Sequence, residues 1–259
     1  MDAYNISGTN FYLRRNDFDF GTAEPLGLLL IWEEPKYEDN YVIGVDPSEG
    51  LGQDRSAVEV NRVGTLKRPD ELVAEWCGQI NGIDLAPILF AIGKLYSVNG
   101  NEPMMAIEQN RGDVVQMELR MRYGWSNLYQ YKIYDRAKKA WANRLGWHTN
   151  PDTRPKMLQR ATNHIRNNKW HINSPWMVDE ISNFEYDPEK MKMKAAVGTH
   201  DDRVMAGFIA LYCSRDWDQY DPEVSPVDTR VQTGKPKNYQ QMDISVEEIE
   251  NDFSGMLYY

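Results

Sequence analysis

The chain has 259 residues, 41% hydrophobic and 26% charged, with a formal net charge of −10. This length and balance belong to one or two globular domains, excluding a disordered or fibrous chain, and the excess of acid argues against a generic nucleic-acid binder. Two cysteines, Cys77 and Cys213, are too few for a disulfide framework or a structural zinc site, no apolar run approaches the roughly 20 residues of a membrane span, and the start lacks a secretory pattern, so a soluble protein of a reducing compartment is expected.

Residues 1–40 are mixed and aromatic and read as a linker-like segment with one short strand near Leu28–Trp32. The run Tyr41–Asp46 is an apolar strand ending in an acid, and Ser48–Gln53 is a turn. Ser56–Val63 and Leu72–Gln79 are further strands. Their short links make the three an antiparallel meander. Asp84 is a fitting N-cap for a helix to Ser97, with Leu85, Ile88, Leu89, Ile92 and Leu95 on one face. Pro103–Glu108 is a fourth strand, again ending in an acid. Gly112 and Asp113 open a helix to Arg122, and Leu128–Tyr134 is a fifth strand. Thr153–Asn168 is a basic helix. Residues 176–186 fit helix and strand equally well, and the polar insert 187–198 suits a short hairpin. Asp202–Cys213 is a strongly apolar helix. Residues 216–259 hold 3 basic and 10 acidic residues and read as an acidic, flexible tail. The resulting order βββαβαβα indicates an α/β domain over 41–215 with a mixed sheet.

Three acidic positions stand where scaffolds hold side chains rigidly: Asp46 and Glu108 at strand ends, and Asp201-Asp202 at a helix start. Singly, each has a plain structural use as a turn, a strand exit or a helix cap. Brought together, they would repel unless a cation neutralised them. Hard divalent cations take such oxygen ligands, and a pair of them supports in-line phosphoryl displacement. Charge runs in blocks. Residues 1–110 carry 8 basic and 18 acidic residues, 111–171 carry 13 and 4, and 172–259 carry 8 and 17. A basic middle between acidic flanks suits one face that meets a polyanion, although two helices with solvated outer faces would read the same way.

Three segments resemble a known family, the RNase H-like (RuvC-like) nuclease domain of the bacteriophage large terminase subunit. They are Tyr41-Val-Ile-Gly-Val-Asp46-Pro-Ser-Glu-Gly50 continuing to Asp54-Arg-Ser-Ala-Val58, Ala106-Ile-Glu108-Gln-Asn110-Arg-Gly112, and Gly198-Thr-His200-Asp201-Asp202-Arg-Val-Met-Ala206. The resemblance implies a five-stranded mixed sheet flanked by helices. It also implies a metal-dependent endonuclease that cuts double-stranded DNA during genome packaging. On it, Asp46, Glu108, Asp201 and Asp202 are catalytic metal ligands for Mg²⁺ or Mn²⁺. Asp54 and His200 support them from behind, each with a local structural use as the alternative. Phosphate contacts are expected from Arg111, Arg136, Lys138, Lys139, Arg144, Arg154, Lys156 and Arg160. The insert with Lys190, Lys192 and Lys194 falls where the family carries a hairpin beside the site. Aromatic residues of the basic region, among them Trp125, Tyr129, Tyr131, Tyr134, Trp141 and Trp147, are expected in the core, since a duplex keeps its bases stacked.

No G-x-x-x-x-G-K-[ST] phosphate loop occurs in the sequence, so no ATP site or ATP-driven translocation is expected. The expected partners are double-stranded DNA and, through the resemblance, a terminase motor domain, the small terminase subunit and the portal protein. The expected location is the bacterial host cytoplasm. Two other readings stay open: another RNase H-like nuclease, such as a junction resolvase or transposase, and a non-catalytic docking module of the packaging machine.

Overall fold

The computed structural model describes residues 2–6, 9–14, 28–49, 55–135, 139–187, 192–196 and 198–214. Asp54, Arg136, Lys138, Lys190 and the acidic segment 216–259 lie outside these residues.

Strands β4 (Tyr41–Asp46), β5 (Ser56–Arg62) and β6 (Asp70–Gly78) form the expected antiparallel meander. From β6 the chain crosses through helix α1 (Gly82–Leu95) and returns as β7 (Met104–Ile107), parallel to β4 on its free side. The sheet is wider than the five strands of the resemblance. The strand read near Leu28–Trp32 is β3 (Leu28–Ile31), antiparallel to β6, and β2 (Thr9–Arg14) and β1 (Asp2–Ile6) continue the sheet outward. The order is β1-β2-β3-β6-β5-β4-β7, with β10 (Trp170–Ile172) parallel to β6 beside its first residues. The fold class is as expected: a mixed sheet, antiparallel meander plus parallel strands, flanked by helices.

Alternation along the strands separates two cores. Ile43, Val45, Val58, Val60 and Trp76 face α1 and α2 (Gln109–Met121), packing on Leu85, Leu89, Ile92, Val115 and Leu119. Val42, Leu72 and Met104 face the other way. They meet Met157 of α3 (Thr153–Arg166), Met177 of α4 (Pro175–Ser182) and Val204, Phe208 and Ile209 of α5 (Asp202–Cys213). Helix α5 lies directly on the sheet because Gly44 has no side chain. A Cβ there would stand 2.0 Å from the Ala206 carbonyl oxygen and 2.7 Å from the Ala210 nitrogen.

Several local expectations shift. Asn81, not Asp84, caps α1: its Oδ1 accepts from Ile83 N at 3.0 Å and Asp84 N at 3.1 Å, while the Asp84 carboxylate accepts from Asn81 Nδ2 at 2.7 Å. Helix α2 starts three residues before Gly112. That glycine is a packing notch, not a helix opener: its Cβ would meet Ile107 Cγ2 at 2.7 Å. The fifth strand divides. Leu128 makes one parallel bridge to Met105, after which β8 (Gln130–Asp135) leaves the sheet and pairs with β9 (Ala140–Leu145), a strand the sequence reading lacks. The ladder position beside Ile107 and Glu108 passes instead to Trp147, whose N–H donates to the Ile107 carbonyl at 2.7 Å. Residues 176–186 contain both alternatives, α4 followed by β11 (Phe184–Asp187). The insert forms the expected hairpin, β11 with β12 (Lys192–Ala195).

Candidate active site

Parallel pairing sets the first two acids side by side. Val45 is in register with Ile107, and Glu108 N donates to the Val45 carbonyl at 2.9 Å. Asp46 and Glu108, each one residue further, therefore leave adjacent strand ends in the same direction. Their carboxyl groups lie within hydrogen-bonding reach of each other. The Asp46 carboxyl is surrounded by protein atoms although the residue as a whole keeps some surface. Burial foremost, then the charge and hydrogen bond of Glu108, then the charges of Asp202 and Asp201, push Asp46 well above the usual carboxylate range.

The third position comes from α5. Seated on Gly44, the helix brings its N-terminal turn alongside Asp46, and both acids of the pair lie within electrostatic reach of it. Asp201 faces Arg154 of α3, with Nη2 3.7 Å from Oδ2. Asp202 faces His200, with Nδ1 3.7 Å from Oδ2. The four acids predicted from the sequence thus converge on one end of β4.

A buried clamp that the sequence reading missed holds this turn. The Glu180 carboxylate accepts from the backbone N–H groups of Arg203 (3.0 Å) and Val204 (3.2 Å), capping α5 from a neighbouring helix. The Arg203 guanidinium donates to Glu180 Oε1 at 2.9 Å and to Glu75 Oε1 at 2.7 Å. Glu75 also accepts from Ser174 Oγ, the hydroxyl that caps α4. Glu59 completes the row, buried beside Glu75 with neither carboxyl oxygen hydrogen-bonded among the described residues. A signal was present: Glu59 and Glu75 are carboxylates flanked by apolar strand neighbours, Val58 and Val60 for the first and Ala74 and Trp76 for the second.

The donor set fits a hard divalent cation in chemistry, since four carboxylates lie within electrostatic reach of one another and a cation would offset their repulsion. Among the described residues, however, no three acid, histidine or cysteine side chains stand close enough together to ligate one ion.

The predicted cations scatter more widely. Arg111 on α2, Lys139 at the β8–β9 turn and Arg144 on β9 are exposed, and Lys156 is half-exposed on α3. Arg154 turns to Asp201. Arg160 turns inward, its Nε donating to the Leu211 carbonyl at 2.9 Å, with Asp70 in electrostatic range. Lys192 and Lys194 stand opposite Asp187 and Glu185 in the β11–β12 register.

No protein family is matched by the sequence, and no curated protein matches it. Among solved structures, the chain is similar to the nuclease domain of the P22 large terminase: 12% identity and a TM-score of 0.48, over 73% of this chain and 89% of that one. It is also similar to the human cytomegalovirus terminase nuclease domain, soaked with Mn and bound to an inhibitor, at 11% identity and a TM-score of 0.47 over 68% and 83%. The same domain soaked with Mn alone gives 11% and 0.46 over 67% and 83%. No helix among the described residues is long and apolar enough to cross a membrane.

Proposed function

We propose that this chain is a divalent-metal-dependent endonuclease that hydrolyses phosphodiester bonds in double-stranded DNA and serves viral genome packaging. One observation carries the chemistry: Asp46 and Glu108 leave adjacent parallel strand ends with their carboxyls in reach of each other, and Asp201 and Asp202 lie in electrostatic reach. The packaging role rests on the sequence resemblance.

Asp46, Glu108, Asp201 and Asp202 would hold Mg²⁺ or Mn²⁺. When bound, such ions supply a lowered pKa for the attacking water and charge stabilisation for the departing oxygen. The protein's own contribution is placement. The strand ends fix Asp46 and Glu108, and the Glu180–Arg203–Glu75 clamp fixes the turn that presents Asp201 and Asp202. Arg154 balances the charge of Asp201 and borders the acids. Exposed Arg111, Lys139 and Arg144 supply backbone contacts, which position a duplex without reading its sequence. The portal, the small subunit and a motor domain are proposed partners on the same resemblance.

The test is incubation with supercoiled plasmid in Mn²⁺, Mg²⁺, Ca²⁺ or EDTA, alongside an Asp46→Asn variant whose fold is checked by circular dichroism. Nicked and linear products are expected with Mn²⁺ or Mg²⁺, and none with EDTA or with Asp46→Asn. A folded wild-type protein that leaves the plasmid intact in every metal would overturn the reading.

A further inference from the structure

The aromatic residues of the basic region were expected in the core, and among the described side chains Trp141 is not there. Trp125, Tyr129 and Trp147 are 1%, 2% and 3% exposed, and Tyr131 is half-buried with its hydroxyl donating to Gln109 Oε1 at 3.0 Å. Trp141 is 52% exposed. It stands on β9, paired with β8 in a hairpin whose described residues include the basic Lys132, Lys139 and Arg144. Ala140, Trp141, Asn143 and Arg144 are all exposed, so both faces of β9 meet solvent.

Both feet of the hairpin are tied to the strand that ends in Glu108. Before β8, Tyr129 N donates to the Met105 carbonyl at 2.9 Å; after β9, Gly146 N donates to the Tyr129 carbonyl at 2.8 Å and Trp147 N to the Ile107 carbonyl. Gln109 N donates back to the Trp147 carbonyl at 2.6 Å. The ribbon thus springs from beside the acids, and strands of this length reach about 20 Å. A two-stranded ribbon fits a DNA groove. Cations alone would suffice for phosphate contacts. A large apolar ring held out among them adds a surface suited to bases, and apolar wedges of this kind enter base steps of a duplex.

We propose that the β8–β9 hairpin enters a groove of duplex DNA next to the candidate active site, with Trp141 wedged at a base step and Lys139 and Arg144 on the flanking phosphates. This deepens the endonuclease reading and rests on it. The wedge contact is apolar and releases no counterions, so it differs from a phosphate contact in its response to salt.

The experiment measures anisotropy of a short labelled duplex in EDTA, so that nothing is cut, between about 50 and 200 mM salt. Trp141→Ala is expected to weaken binding about tenfold at every salt with an unchanged slope, and Trp141→Phe to recover most of the loss. Arg144→Ala is expected to lower the slope by about 0.9. A 2-aminopurine placed in the duplex reports on the unaltered protein, its emission rising where a step unstacks. Trp141→Ala binding within twofold of wild type, or flat 2-aminopurine emission at every position, overturns the wedge and leaves the endonuclease reading intact. A wild-type protein that fails to bind the duplex at the lowest salt overturns the hairpin proposal, whereas the endonuclease reading falls only if plasmid stays intact in every metal.

Discussion

Glu59 is buried in the sheet beside Glu75, and among the described residues neither of its carboxyl oxygens has a hydrogen-bond partner. Burial, reinforced by the charge of Glu75 and opposed by that of Arg203, raises its pKa well above 4.5. The folded protein therefore keeps a proton that the unfolded chain has already lost. The resulting stability is fully present below about pH 4.5 and is lost as pH rises through the folded value. Glu59→Gln mimics the protonated acid without titrating. Urea midpoints should be nearly equal for variant and wild type at pH 4, and higher for the variant at pH 8. Equal midpoints at both pH values would mean that Glu59 ionises normally. Asp46 is also raised, by burial foremost and then by the other candidate-site acids. Sequence could propose the four acids from their positions at element ends. It could not show that Asp46 and Glu108 stand side by side, which depends on the register of two strands about sixty residues apart.

At the scale of the element, α5 decides whether the acids meet. Its residue pattern made it the clearest helix in the sequence, and its bounds Asp202–Cys213 stand as read. Its seat did not show. That seat needs Gly44 below and Ala206 and Ala210 on the helix, while Gly207 makes room for Met177 of α4. A Cβ at Gly207 would stand 2.4 Å from Met177 Cε. The contact at Gly44 is with helix backbone, which cannot rotate away, so Gly44→Ala should destabilise the fold by about 3 kcal/mol or more in urea unfolding. It should also cut Mn²⁺-dependent cleavage in the fraction that stays folded, because α5 carries Asp201 and Asp202. A loss below about 1 kcal/mol would show that the helix shifts freely over the sheet. The β8–β9 hairpin was missed for a related reason. The run 128–134 has strand character, but nothing in its pattern states that Trp147 takes the neighbouring ladder position instead.

For the whole molecule, the net charge of −10 conceals a basic block, and the fold spreads that block unevenly. Arg154 and Arg160 turn to protein groups, while Arg111, Lys139 and Arg144 stay exposed. Duplex affinity should therefore be modest and fall steeply with salt, each engaged cation adding about 0.9 to the logarithmic slope. Arg111→Ala, far along the chain from the hairpin, should remove one such increment in a salt titration. Binding indifferent to salt would exclude a phosphate-tracking surface.

Composition, apolar runs and the placement of acids determined the class of fold, the meander, the main helices and the four candidate acids. These are local properties: alternation, helical spacing and element ends are written in neighbouring residues. Tertiary structure alone decided the rest. It decided which strand lies beside β7, how closely α5 approaches Gly44, that Glu180, Arg203 and Glu75 grip that helix, and that Trp141 is held outside the core. Each depends on residues tens of positions apart meeting in space, where burial and close approach, not local pattern, set the outcome.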